Sequence, residues 1–255
     1  MGRKLVTGHN IDALGQFELH PVFGTLGETI RFSQSELMMV IAAVIVPVAI
    51  YFGMRRKAVV PGRYQAATEI LYEFVYSMAV GTMGEKGKGF FPFIFALFFF
   101  ILTGNYLGLL PFSFAFTSHI VVTVSLALMV FVLAIIVSLK NQGLKFFAHF
   151  MPAGAPILMA PLLVPIEILS YLSRPVSLSI RLFANMVAGH VMLEMFAAFT
   201  IMLAAGLGLA VGGFLGIFPI LLNIALFALE LLVGALQAYV FTILTCMYLQ
   251  EAVHH

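Results

Sequence analysis

Ser177-Leu178-Ser179-Ile180-Arg181-Leu182-Phe183-Ala184-Asn185 sets a lone arginine in the most apolar part of the chain. A guanidinium at the centre of a bilayer costs about 2.5 to 3.5 kcal/mol on insertion scales and roughly 10 or more in simulations of isolated helices. Such a residue faces protein or water rather than lipid, and it marks a pathway for ions or charged groups. The composition makes the surroundings a membrane. Of 255 residues, 62% are hydrophobic and 9% charged, with mean hydropathy +1.08, whereas a soluble domain carries about 25% charged residues. A formal charge of +2, with basic residues clustered between apolar runs, gives no nucleic-acid footprint. Trp is absent, so an interfacial aromatic belt rests on Tyr. The single cysteine, Cys246, excludes an internal disulfide and a cysteine-based metal cluster, and reads as a small apolar helix residue.

Working outward, the apolar runs predict an all-α integral membrane protein with about five transmembrane helices. Residues 1–35 mix polar and apolar positions without a continuous apolar core before a cleavage site. They are expected to remain as an extramembrane segment ahead of one membrane domain, 36–255. Spans are expected at 37–54, 90–111, 119–139, 161–205 and 214–250. The first stops at Arg55-Arg56-Lys57, with Arg63 close behind. By the positive-inside rule this cluster is cytoplasmic, the N-terminus is outside, and five crossings put the C-terminus inside. Residues 64–83 interleave Tyr64, Ile70, Leu71, Phe74, Val75 and Met78 with Glu69 and Glu73, the pattern of an amphipathic helix along the membrane surface. The stretch 144–160, rich in Gly and Pro, reads as either re-entrant or interfacial. The last two apolar stretches exceed the roughly 20 residues of an upright span, so tilt or curvature is expected.

Polar residues in these long stretches are ordered. At 100° per residue, Glu167, Ser170, Arg174, Ser177, Arg181 and Asn185 fall in one stripe less than about a third of the circumference wide. Arg181 lies about 21 Å beyond Glu167, and His190 and Glu194 lie further on. Asn223, Glu230 and Gln237 recur at intervals of seven and form a second seam. His190 has two candidate carboxylate partners, Glu194 and Glu230. Plainer roles compete for several positions. Arg174 is placed to snorkel to the inner interface, and Ser170, Ser173, Ser177 and Ser179 suit close helix packing. Asn105 and Asn223 suit interhelical hydrogen bonds. His9, His20, His254 and His255 read as solvated.

Enzyme signatures are missing from the pattern. There is no His-x-x-x-His pair and no glycine loop entering a helix in phosphate-binding fashion, and Gly206-Leu207-Gly208 sits in an apolar turn. His190 and Glu194 supply two ligands without a third, which falls short of a metal site. Three function classes remain: a proton or ion path, a secondary transporter binding an anion at Arg181, and a membrane scaffold. A transporter is disfavoured because no paired halves with interrupted helices are visible.

The run from Ser173 through Arg181 and Asn185 to His190 resembles the signature of the a subunit of the F-type ATP synthase. So does Leu236-Gln237-Ala238-Tyr239-Val240-Phe241-Thr242-Ile243-Leu244-Thr245, and Leu107 to Pro111 preceded by Asn105 is similar to the end of that family's second span. The resemblance extends over nearly the whole chain. It implies a stationary proton-conducting subunit of the membrane Fo sector, not catalytic by itself and without a cofactor or metal. Implied partners are a ring of c subunits, b-type peripheral stalk subunits, the remaining synthase subunits and the lipid bilayer. The last two helices would be strongly tilted and packed as a hairpin against the ring. Arg181 matches the family's essential arginine, with Asn185 and Gln237 as polar neighbours. His190, Glu194, Glu230 and Asn223 are implied to line an outer half-channel, and Glu167, Ser170 and Ser177 an inner one. Many bacterial members carry an acid at the position of His190 and a histidine at that of Glu230. The exchange seen here is similar to mitochondrial and alphaproteobacterial chains. The implied location is a bacterial inner membrane, with a mitochondrial inner membrane as the alternative.

Overall fold

The computed structural model describes residues 34–55, 62–110, 115–143 and 159–254. The N-terminal segment, most of the stretch at 144–160, Arg56, Lys57, Pro111, His9, His20 and His255 lie outside the described residues. Among the described residues the fold is five α-helices: α1 (Gln34–Met54), α2 (Arg63–Met83), α3 (Gly87–Gly108), α4 (Ile120–Gln142) and α5 (Ala160–His254). Short 3-10 turns, Gly84–Lys86 and Phe116–Ser118, join α2 to α3 and lead into α4. Five stretches are long and apolar enough to cross a membrane: Ser35–Met54, Arg63–Gly108, Ile120–Gln142, Pro161–Gly206 and Gly213–Val253.

Helices are the expected element here, because a backbone in hydrocarbon must satisfy its own hydrogen bonds within each segment. Proline inside three of them (Pro47; Pro92; Pro165, Pro175 and Pro219) fits that setting, where neighbouring helices re-satisfy the freed groups.

α2 differs in emphasis from its sequence reading. Its amphipathic pattern is real, but its apolar face packs back along α3. Tyr76 meets Phe91 and Tyr72 meets Phe91 and Phe95, with ring centroids 4.8 to 5.9 Å apart, while Phe74 meets Phe98 at 5.9 Å. These pairs run in antiparallel order, so α2 and α3 form a helical hairpin. Val75, Met78, Ala79 and Met83 are buried by it, while Glu69 and Glu73 stay exposed.

α3 lies at the centre. Its Ile94, Leu97, Phe98, Phe99 and Ile101 join Ala127, Val130 and Ala134 of α4 and the apolar faces of α2 and α5 in one core. From α5 that core receives Leu178 and Leu182 before the bend, and Ala238, Phe241, Cys246 and Leu249 after it. The bend is Gly208, at φ 77° and ψ 161°. Side chains other than glycine avoid that region, so the break falls where a glycine can make it. It divides α5 into a first arm (160–207) and a second arm (209–254), as the glycine-rich stretch predicts.

The arms run antiparallel. A Cβ added at Gly216 would touch Thr200, one at Gly189 would collide with Glu230, and Arg174 pairs with Glu251. Sixteen residues of the first arm separate Arg174 from His190, about 24 Å, but twenty-one of the second separate Glu230 from Glu251, about 32 Å. Straight parallel helices would match residue for residue. The difference is taken up by obliquity between the arms and by the reach of the Arg174 and Glu251 side chains.

Candidate functional site

Arg181 is solvent-exposed on the isolated chain, although Leu178 and Leu182 of the same turns are buried in the core. The polar stripe of the first arm therefore runs along the border between its packed face and its open face. Asn185 lies one turn on, half-buried, with its Nδ2 buried and lacking a hydrogen-bonding partner within the described chain. Ser170 and Ser177 are exposed and Glu167 is half-buried. Among the described residues no hydrogen bond or ion pair ties these three side chains to the second arm.

The second arm treats its seam differently. Glu230 and Gln237 are each only 6% exposed, on the face turned into the bundle. His190 reaches this face from the first arm, its Nδ1 3.7 Å from Glu230 Oε1. Of the two carboxylates that the sequence offers to His190, the glutamate across the helix pair stands within ion-pair distance. Glu194, one turn beyond His190 on its own helix, is half-buried. The Glu230 carboxyl approaches the first arm so closely because residue 189 has no side chain. Gly189 was legible in the sequence only as a neighbour of His190, and its role needed the partner helix to become visible.

Buried polar groups are normally paired, and those that are not mark ordered water, a ligand or a partner. Beyond Asn185, Glu230 Oε1 and Oε2, Gln237 Nε2, Asn223 Oδ1, Asn105 Oδ1 and Thr117 Oγ1 lack hydrogen bonds within the described chain. Asn105 is fully buried and donates through Nδ2 to the Gly234 carbonyl at 2.9 Å, fixing α3 to the second arm between Glu230 and Gln237. Its reading as an interhelical hydrogen-bonder thus describes one end of the amide. Between the arms, toward Gly208, a cavity of about 530 Å³ is lined by Leu193, Thr200, Ile220, Asn223 and Phe227 among others. Asn223 lines this cavity, and its Oδ1 has no hydrogen-bond partner within the described chain.

From the bend inward the order is therefore the Asn223 cavity, the His190–Glu230 contact, Asn185 and Gln237, then Arg181. Arg174 and Glu251 close the other end. Arg174, placed by the sequence to snorkel, pairs with Glu251 and lies over the rings of Tyr171 and Tyr248, 5.3 and 5.5 Å from their centroids. Sequence could not signal this, since Glu251 is 77 residues away. Among the described residues no three His, Cys, Asp or Glu side chains are grouped to hold a metal ion.

Comparison with known proteins identifies the family. The model of the ATP synthase A chain family matches residues 36–250. The chain is 74% identical to ATP synthase subunit a of Gluconacetobacter diazotrophicus over 98% of its own length and 100% of the relative. It is 69% identical to ATP synthase subunit a of Gluconobacter oxydans, with the same coverage. For ATP synthase subunit a of Bradyrhizobium diazoefficiens the identity is 48%, covering 96% of this chain and 98% of the relative. With a match that reaches into each of these helices and takes in Glu167, Arg181, Asn185, His190, Asn223, Glu230 and Gln237, the chain belongs to the ATP synthase A chain family.

Proposed function

We propose that the chain is the proton-translocating stator subunit of a rotary F-type ATP synthase, non-catalytic by itself, in a bacterial inner membrane with its N-terminus periplasmic and its C-terminus cytoplasmic. Family membership supports the assignment. The observation that carries the mechanism is Arg181 on an open face between a buried acid–imidazole contact on one side and Glu167 on the other.

In this reading a proton from outside enters between the arms through the cavity at Asn223. It passes by water and the group His190, Glu194 and Glu230 to a carboxylate on a ring of c subunits. Imidazole and carboxylate suit the step because each accepts and releases protons with modest driving force. The neutralised rotor carboxylate then enters lipid. After nearly a full turn it meets the second route at Glu167, Ser170 and Ser177 and gives its proton to the inner side. Arg181, with Asn185 and Gln237 beside it, favours the ionised carboxylate between the routes, since a nearby opposite charge lowers an acid's pKa by about 1 to 3 units. Its guanidinium does not give up its own proton, so it also blocks direct passage. Each charge crossing yields about 2.3 kcal/mol per 100 mV, so several crossings are accumulated for one ATP.

The surface around Arg181 fits a ring partner. Val176, Ile180, Leu229, Leu232 and Leu236 on the two arms are all about half exposed or more, giving apolar faces to either side of the arginine. The b-type stalk subunits and the other synthase subunits complete the assembly, residues 1–35 form the extramembrane segment ahead of the membrane domain 36–255, and α2 sits near the membrane surface. The test is ATP-driven and potential-driven proton flux in vesicles carrying the whole complex. Loss of coupling in Arg181→Ala at native complex content is the expected result, and unchanged coupling returns the arginine to a scaffold role.

A further inference from the structure

Three side chains from three different elements converge on the last turn of the second arm. Lys86, in the turn between α2 and α3, donates from Nζ to the Val253 carbonyl at 3.1 Å. Asn141, at the end of α4, donates from Nδ2 to the Ala252 carbonyl at 3.3 Å. Arg174 of the first arm pairs with the Glu251 carboxylate while lying over Tyr171 and Tyr248. Ala252 and Val253 are buried beneath these contacts. The carbonyls of a helix's last turn have no donor inside the helix and carry the negative end of its dipole, so an ammonium and an amide are suited to them.

We infer that Lys86, Asn141, Arg174 and Glu251 form a clamp on the last turn of the second arm that sets the register of the two arms beside Arg181. Among the described residues, ionisable side chains of the two arms meet at His190–Glu230 and at Arg174–Glu251. Arg181 lies between them, seven residues from Arg174 and nine from His190. Either arm can slide or rotate only against these contacts, and near the Arg174 end the clamp ties the second arm to α3, α4 and the first arm together. These four are positioning residues, acting on Arg181 and Gln237 through the placement of the helices. A slip of one residue along the second arm shifts Gln237 by about 1.5 Å and turns it by about 100°, enough to remove it from the face that Arg181 borders.

The inference rests on the proton-translocation reading, and one experiment separates the two. Protons pumped per ATP hydrolysed are measured in vesicles carrying the whole complex, at matched complex content, for the native chain, Arg181→Ala, Arg174→Gln, Arg174→Lys, Glu251→Gln, and Lys86→Met combined with Asn141→Leu. The ratio is expected to fall about fivefold in the two glutamine variants and in the double variant, the scale of coupling carried by packed networks. Arg174→Lys, which keeps the ion pair, is expected to stay within about twofold of native. A native ratio in the glutamine and double variants overturns the clamp, as does Arg174→Lys failing as badly as Arg174→Gln. If none of the three weakened variants accumulates as complex, the turn serves assembly alone and the positioning role is overturned. Full coupling in Arg181→Ala instead overturns the proton-translocation reading itself.

Discussion

The His190–Glu230 and Arg174–Glu251 contacts between the arms of α5 each set a nitrogen base against a carboxyl group and differ in everything that surrounds them. His190 and Glu230 are 11% and 6% exposed, their nearest N and O atoms stand 3.7 Å apart, and both Glu230 oxygens lack a hydrogen bond within the described chain. Arg174 and Glu251 are 27% and 42% exposed, in direct contact, and the guanidinium is further held by two tyrosine rings. Arginine keeps its charge and its planar fork, which suits holding. Imidazole and a loosely paired carboxylate exchange protons, which suits passing them on. The contrast matches the two proposed roles: a buried pair with unsatisfied oxygens suits a relay, and a tight, partly wet pair suits a strut.

Arg181 stands between the two, and its loss is expected to have the largest effect. If the proposed mechanism holds, Arg181→Ala takes from a rotor carboxylate a counter-charge worth about 1 to 3 pKa units, on the order of 10- to 1,000-fold in its release of protons. ATP synthesis driven by an imposed proton gradient measures this, at unchanged complex content. Glu230→Gln removes the relay acid while keeping its shape. Proton flux through the membrane sector is expected to drop about 10- to 100-fold, and native flux with native complex yield would leave the relay without its acid.

Gly189→Ala sharpens the comparison without touching a titratable group. The new methyl would meet the Glu230 carboxyl, so the His190–Glu230 contact must open. Overpacking of this kind costs about 1 to 3 kcal/mol. Both a lower melting temperature and a flux deficit smaller than that of Glu230→Gln are expected, and a native flux would show that the approach of Glu230 to the first arm does not matter. Gly208→Ala strains the bend by about 1 to 3 kcal/mol, read as reduced thermal stability of the complex. Asn105→Ala removes one hydrogen bond to Gly234, a loss of about 0.5 to 1.5 kcal/mol. Its effect on flux is expected to be the smallest of the series, and a collapse of flux would move Asn105 into the relay.

Much of this was legible in the sequence, and particular residues show why. Hydropathy led to helices being expected at 37–54, 90–111 and 119–139, and amphipathic spacing to one at 64–83; Gln34–Met54, Gly87–Gly108, Ile120–Gln142 and Arg63–Met83 are observed. The glycine-rich break within 204–216 fell at Gly208. Helix periodicity put Arg181 and Asn185 on one stripe and Asn223, Glu230 and Gln237 on another, because residues on a helix face are related by spacing that any sequence displays.

What the sequence could not decide was which face of one helix meets which face of another. The approach of Glu230 to His190 depends on the bare backbone at Gly189. The packing of α2 along α3 depends on ring contacts between Tyr72, Tyr76, Phe91 and Phe95. The gathering of Lys86, Asn141 and Arg174 on residues 251–253 joins positions up to 167 apart. Local spacing fixes a helix and its stripes through backbone geometry alone. Register between helices is set by the sum of many side-chain contacts over long separations, and only the tertiary structure contains that sum.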